Sequence, residues 1–359
     1  MKDFITFKEN AELHKLERRN RNYKNISKYG IGLLDNYLWW IYEKELVVIG
    51  APTWCGKTTI ANTIAITNAL AGRKVGLLSL EWDQTDINEM WNLRYINNKI
   101  KDSWTFIKST EYKLNLTNVE ALEDEAISNT PKSLQNNLYI FKKEYIPKAK
   151  ELENLVVSLK QEQVQLLIVD HLHYLDFGNR LEVEAITEIM KTLKLLTELK
   201  PYLPVVLISH LSRNVSGRPK ISDLHWSSNI EKNANTVILL NPCDSSELVN
   251  NLPDWKYYRW TEIIVAKNRT GVPVPAVFET HFNLKTKDYM SWEEFNLLSP
   301  DEDNRATLND DLSKQIESIM QKKEPVEKKE DVKIADRPDT ESKVKRPPKL
   351  NTKKKPWNQ

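Results

Sequence analysis

The stretch GAPTWCGKTT, Gly50 to Thr59, follows directly on the apolar run ELVVIG. A phosphate-binding loop has four residues between its two glycines and then Lys and Ser or Thr. Here five residues separate Gly50 from Gly56. Counted from Ala51 instead, APTWCGKT reads small-x-x-x-x-Gly-Lys-Thr with the correct spacing. A methyl group can stand at the first position if the backbone angles there are ordinary, whereas Gly56 is where the chain must pass close to phosphate. The loop follows a strand pattern and opens a helical one, so backbone N–H groups and the helix dipole would converge on anionic oxygens. On this reading Ala51, Pro52, Thr53, Trp54, Cys55, Gly56, Lys57, Thr58 and Thr59 form the loop. Lys57 would reach the β- and γ-phosphates of ATP, and the Thr58 hydroxyl would ligate Mg²⁺. An ordinary strand–turn–helix connection would have the same outline, so the rest of the chain has to decide.

Outward from the loop, short β-branched runs alternate with amphipathic stretches. ELVVIG, KVGLLSLE, NLYIF, VQLLIVD, PVVLISH, NTVILL and TEIIVAK read as strands, and TTIANTIAITNALAG and AITEIMKTLKLLTEL as helices. That alternation predicts an α/β fold with a mostly parallel sheet flanked by helices. It spans about residues 29–299, between a short basic arm before residue 28 and a charged, proline-rich tail from Pro300 expected to be disordered. The chain is 359 residues long with 52 Lys+Arg against 50 Asp+Glu, so a nucleic-acid site must be local and not a property of the whole surface. Two cysteines, Cys55 and Cys243, exclude a disulfide framework. Without an apolar signal segment or a membrane-spanning run, a soluble, cytoplasmic protein with no membrane partner is expected.

Several runs end on a polar residue at the edge where ligands sit in parallel sheets. Glu81 ends VGLLSLE and could orient and deprotonate a water; a surface glutamate reads the same way. Asp170 ends QLLIVD, the place of a carboxylate that holds magnesium through water, or of a helix cap. His210 ends PVVLISH, where a polar side chain could touch the γ-phosphate or simply close the strand. In TEIIVAKNRTG, Lys267 and Arg269 are one residue apart on a strand end and point the same way. They read as a surface pair, or as an arginine finger with a companion lysine, an element worth roughly 10³–10⁵ in rate.

The order of these stations, with NRLEVEAITEIMKTLKLL and RPKISDLHWSSNIEKNANTVILL between them, resembles the RecA-type motor domain of DnaB-like replicative helicases (superfamily 4) over about residues 29–284. In that family the loop commonly starts with a small residue preceded by another, which favours Ala51 as the first position. The resemblance implies a RecA-like P-loop NTPase core, a hexameric ring with ATP between subunits, single-stranded DNA in the channel, and 5′-to-3′ movement. It implies that Lys57, Thr58, Glu81 and Asp170 act in cis, that His210 is a γ-phosphate sensor, and that Lys267 and Arg269 act in trans. Primase, polymerase or a helicase loader are implied partners.

The chain departs from the pattern after SHLSR, where the segment is short, and in SDLHWSSNIE, where His225, Trp226 and Ser228 replace the usual types. From the sequence as given, a motor without a large collar or primase domain is expected. For DNA contact Arg213, Arg218 and Lys220 are the candidates, with Trp226 as a stacking group; a solvated basic loop over a packed tryptophan is the plain alternative. The arm ENAELHKLERRNRNYKN could dock on an adjacent protomer or stay solvated. The tail from Lys343 to Lys355 carries seven cations without an acid, which would hold nucleic acid, dock a partner through Trp357, or only solubilise. Cys55 sits where a helix N-terminus lowers a thiol pKa, or is a spacer. The rival functions are a RecA-like recombinase filament and an ATP-dependent assembly switch that does not unwind DNA.

Overall fold

All seven runs read as strands form strands, and they lie in one sheet. The computed structural model describes residues 6–20, 26–52, 55–99, 112–113, 120–142, 151–171, 182–212, 215, 217–225, 227–243, 258–283 and 288–291. The strands are β1 (Leu46–Ala51), β2 (Val75–Ser79), β3 (Leu138–Ile140), β4 (Leu166–Asp170), β5 (Val205–His210), β6 (Thr236–Pro242), β7 (Tyr258–Asn268), β8 (Ala276–Asn283) and β9 (Asp288–Ser291). Their order is β3-β2-β4-β5-β1-β6-β7-β8-β9. From β3 to β6 every pairing is parallel; β7, β8 and β9 add antiparallel strands to the far edge.

β1, β2 and β4 are buried along their whole length, which is why they read as unbroken apolar runs. Alternate residues feed opposite faces. Val47, Ile49 and Ala51 pack with Ile60, Ala61 and Ile64 of α1, the helix that follows the loop (Lys57–Leu70). Leu46 and Val48 pack on the other face with Ile186, Ile189 and Leu193 of the long helix Glu182–Glu198. The sheet is thus a middle layer covered on both faces.

The antiparallel extension is the part the alternation did not predict beyond β7. Glu279 and His281 interrupt the β8 run, so its strand character shows only in its pairing with β7. Before the sheet, Phe7–Asn20 forms a helix with exposed side chains over its first turns. Thr6 and Glu9 close a capping box there: the Glu9 N–H donates to Thr6 Oγ1 at 3.2 Å, and the Thr6 N–H donates to Glu9 Oε2 at 2.7 Å. The tail lies outside the described residues. Among the described residues no helix is long and apolar enough to cross a membrane.

Candidate nucleotide-binding site

Packing alone accounts for Gly50, without a ligand. Ala51 is the last residue of β1, fully buried and paired with His210. A Cβ on Gly50 would lie 2.3 Å from Leu224 Cδ2 and 3.0 Å from Leu239 Cδ2. Gly50 is therefore a packing glycine beneath the loop. Gly50→Ala should lower thermal stability by about 1–3 kcal/mol through overpacking, while Ala51→Gly should leave nucleotide affinity close to wild type. Melting curves and ATP titrations on the two variants check this; equal damage from both would put the motif back at Gly50.

Gly56 takes the left-handed conformation, φ 70°, and caps α1. A Cβ there would meet the Tyr289 hydroxyl at 2.8 Å. That hydroxyl donates to the Cys55 carbonyl at 2.7 Å, and its ring packs on Phe282 with centroids 4.9 Å apart. The hairpin β8–β9 thus braces the loop from below, a contact no local pattern announces. Cys55 is itself buried, and burial pushes its thiol up, opposite to the lowering expected at a helix N-terminus. It is a spacer packed under the loop, with the charges of Lys57 and Arg259 only partly offsetting the desolvation. Pro52 follows β1 directly and Thr59 lies in the first turn of α1; Thr53 and Trp54 fall outside the described residues.

Lys57 is 6% exposed and its Nζ donates to the Pro52 carbonyl at 3.1 Å. Burial lowers its pKa, while Glu81 and Asp170 pull the other way. Asp170 is fully buried at the end of β4. Desolvation pushes its carboxyl up to about 6, moderated by the neighbouring Thr58 hydroxyl, His171 and Lys57. Thr58 is close enough to favour the charged form, yet neither Asp170 carboxylate oxygen makes a full hydrogen bond among the described residues. Two orphaned buried oxygens beside a hydroxyl are what a hard cation would satisfy. No cluster of three or more His, Cys, Asp or Glu that could hold a metal occurs among the described residues. Mg²⁺ needs none, since it is usually held by one or two protein groups, substrate phosphates and water.

Glu81 lies two residues past β2 and is partly exposed. His171 bonds to it, which holds its carboxyl below the usual range against the opposing effect of burial. His210 ends β5, and burial with the charge of Lys57 pushes its imidazole down to about 4, so it is neutral near pH 7. Between them stands His171, which sequence reading passed over although it follows Asp170 directly in the run IVDHLHYL. The signal available was a second polar residue at the same strand end.

The structure separates Lys267 and Arg269 from their own loop. β7 runs antiparallel, so Lys267 pairs with Val237, which pairs with Val48 near the start of β1. Ala51 is roughly 10 Å further along the strand and two strands away. Lys267 Nζ donates to the Glu231 carbonyl, and Arg269 Nη2 to that of Lys232 at 2.9 Å. Both side chains turn to the end of the helix Ser227–Asn233, the same way as expected, on the rim opposite the loop.

Arg218 is held by an ion pair on the surface. Its guanidinium donates from Nε and Nη2 to Glu262, at 3.1 and 2.9 Å from Nε. Glu262 faces Glu279 directly across β7 and β8, a like-charge pairing that costs stability. Arg218 offsets it, and its side chain remains 63% exposed while doing so. Lys220 is exposed, its backbone N–H donating to Asp223 Oδ2 at 2.7 Å. Arg213 and Trp226 lie outside the described residues.

A plasmid replicative DNA helicase of Chlamydia psittaci, described as probable, is 30% identical over 281 residues, covering 74% of this chain and 56% of that protein. The replicative DNA helicase DnaB of Treponema pallidum is 28% identical over 266 residues, covering 71% and 55%. The chain thus spans about half the length of the curated relatives it matches. Among solved structures, one isolated ATPase domain superposes with a TM-score of 0.62 at 21% identity, covering 80% of this chain and 99% of that one. A DnaB-like replicative helicase solved with its primase interactions gives 0.60 at 19%, covering 80% and 67%. These two show the fold, a RecA-like α/β domain. The DnaB-like helicase C-terminal domain family matches residues 28–290, most of the sheet and every strand-end residue above, and the chain belongs to that family.

Proposed function

We propose that this chain is an ATP-hydrolysing motor that moves on single-stranded DNA and separates strands during replication, working as a ring of identical copies. One observation carries the reading: Lys57, Thr58, Glu81, Asp170 and His210, from four separate segments, gather on one rim of the sheet around the loop. Lys57 binds the β- and γ-phosphates. Glu81 holds and deprotonates the attacking water, and the hydrogen bond from His171 keeps it anionic. His210, neutral and beside Lys57, registers the γ-phosphate. Thr58 and Asp170 would hold Mg²⁺, which would neutralise charge on the phosphate oxygens. Lys267 and Arg269 face away from their own loop and serve the nucleotide of a neighbouring copy, which makes hydrolysis depend on a closed heterologous assembly.

Residues 29–299 form the motor in this reading, with the preceding arm as a docking segment and the tail from residue 300 as a charged extension. Arg218 and Lys220, with Arg213 and Trp226 beyond the described residues, are the DNA contacts in this reading. Primase, polymerase or a loader would be partners of the ring. A second reading, an ATP switch that does not unwind, is favoured by one finding, the ion pair of Arg218 with Glu262, which lowers the net positive charge of the basic loop.

Forked-DNA unwinding and single-strand-stimulated ATPase on wild type, Lys57→Ala and Lys220→Glu test this. The motor reading expects unwinding and stimulation in wild type, neither in Lys57→Ala, and weakened single-strand binding in Lys220→Glu. Stimulated hydrolysis without strand separation selects the switch. Absence of hydrolysis in wild type rejects both.

A further inference from the structure

One ring nitrogen in this site has two neighbours. His171 is 2% exposed, and its Nε2 lies 2.9 Å from His210 Nε2 and 3.4 Å from Glu81 Oε2. The two imidazoles meet edge to face, centroids 4.3 Å apart and planes at 86°. An imidazole nitrogen that carries a proton has one N–H to give. The lone pair of His210 and the carboxylate of Glu81 are both acceptors within its reach, and a carboxylate is the stronger one. In this arrangement the shorter contact goes to His210. Any movement that draws the His210 ring aside leaves the N–H wholly to Glu81.

We propose that His171 is a positioning residue that links His210 to Glu81, so that the ring touching the γ-phosphate sets how firmly the water-activating carboxylate is held. The link rests on the roles proposed above for Glu81 and His210. It runs through a side chain that immediately follows Asp170 and occupies the gap between the ends of β2 and β5. Loss of the γ-phosphate would return His210 to His171 and slacken the hold on Glu81 in the same motion.

The test measures kcat and KM for ATP, with single-stranded DNA present, in His171→Leu and His171→Gln, each in the wild-type and Glu81→Gln backgrounds. Gln places an amide N–H about where Nε2 sits; Leu fills the space without a donor. The link expects His171→Leu to lower kcat roughly 10- to 100-fold with KM changed little, and His171→Gln to recover most of it. In the Glu81→Gln background His171→Leu should add almost nothing, because the two residues act as one unit. Melting curves on every variant identify a folding defect, and His171→Gln carries the test if His171→Leu fails to fold, since the link then expects it to keep most of the wild-type kcat. A wild-type kcat in His171→Leu, equal slowing in Leu and Gln, or independent losses with Glu81→Gln would each overturn the link. If Glu81→Gln itself leaves kcat unchanged, the reading of the site fails first, and the link with it.

Discussion

Mixing Lys57→Ala protein with Arg269→Ala protein restores ATP turnover that neither variant has alone. Each single substitution should cost about 10³-fold or more in kcat, one by removing the phosphate-binding ammonium and the other the guanidinium that stabilises charge on the transferred phosphoryl. The recovery follows from where β7 ends. Arg269 sits on the rim opposite the loop of its own chain and bonds to Lys232, so no side-chain rotation brings it to that loop. A neighbour turned head to tail can present it. In randomly mixed assemblies about a quarter of the junctions would pair an intact Lys57 with an intact Arg269, so activity should rise towards that fraction of wild type. Mixtures that stay as slow as their components would show that each loop works alone.

Glu45→Gln should stabilise the fold at pH 8 and leave it nearly unchanged at pH 5. Glu45 is 4% exposed at the start of β1, beside Tyr29 and Tyr42, and its Oε2 accepts the Tyr42 N–H at 3.1 Å. Burial pushes its carboxyl from 4.5 up to about 7, against the pull of Lys194. Between those values the folded chain binds the proton that the unfolded chain has lost, so stability falls as pH rises through about 7. The charged carboxylate then costs the fold about 3 kcal/mol. Glutamine keeps the acceptor and never ionises. The difference in melting temperature between variant and wild type should widen by roughly 5 °C or more from pH 5 to pH 8. Asp170 shifts the same way, but it is common to both proteins and cancels in the difference. A difference independent of pH would mean that Glu45 titrates alike in the folded and unfolded chains, and that burial does not raise its carboxyl.

The seven strands from β1 to β7 were legible because burial on both faces makes an unbroken β-branched run, and the polar residue that ends each run marks the rim where ligands sit. Glu81, Asp170 and His210 could be picked out on that ground. What escaped was set by contacts between distant segments. Tyr289 reaches the loop only because the β8–β9 hairpin folds beneath it, and the neighbouring sequence holds no trace of that. The ion pair of Arg218 was not legible because its partner, Glu262, lies 44 residues away on another strand and faces Glu279. Ala51 was ambiguous for the opposite reason. The glycine before it is fixed by Leu224 from across the fold, so a packing requirement looked like part of a ligand motif.

The Leu224 side chain that fills the hollow of Gly50 also ties distant pieces together. Leu224 forms a bridge with Leu211, the Leu211 N–H reaches the Ala51 carbonyl, and the His225 N–H reaches that of His210. The root of the loop, the end of β5 and the turn around residue 224 are thereby laced into a single stiff knot. A tug on that turn from outside cannot be absorbed locally; it is delivered as a displacement at the floor on which the triphosphate would rest.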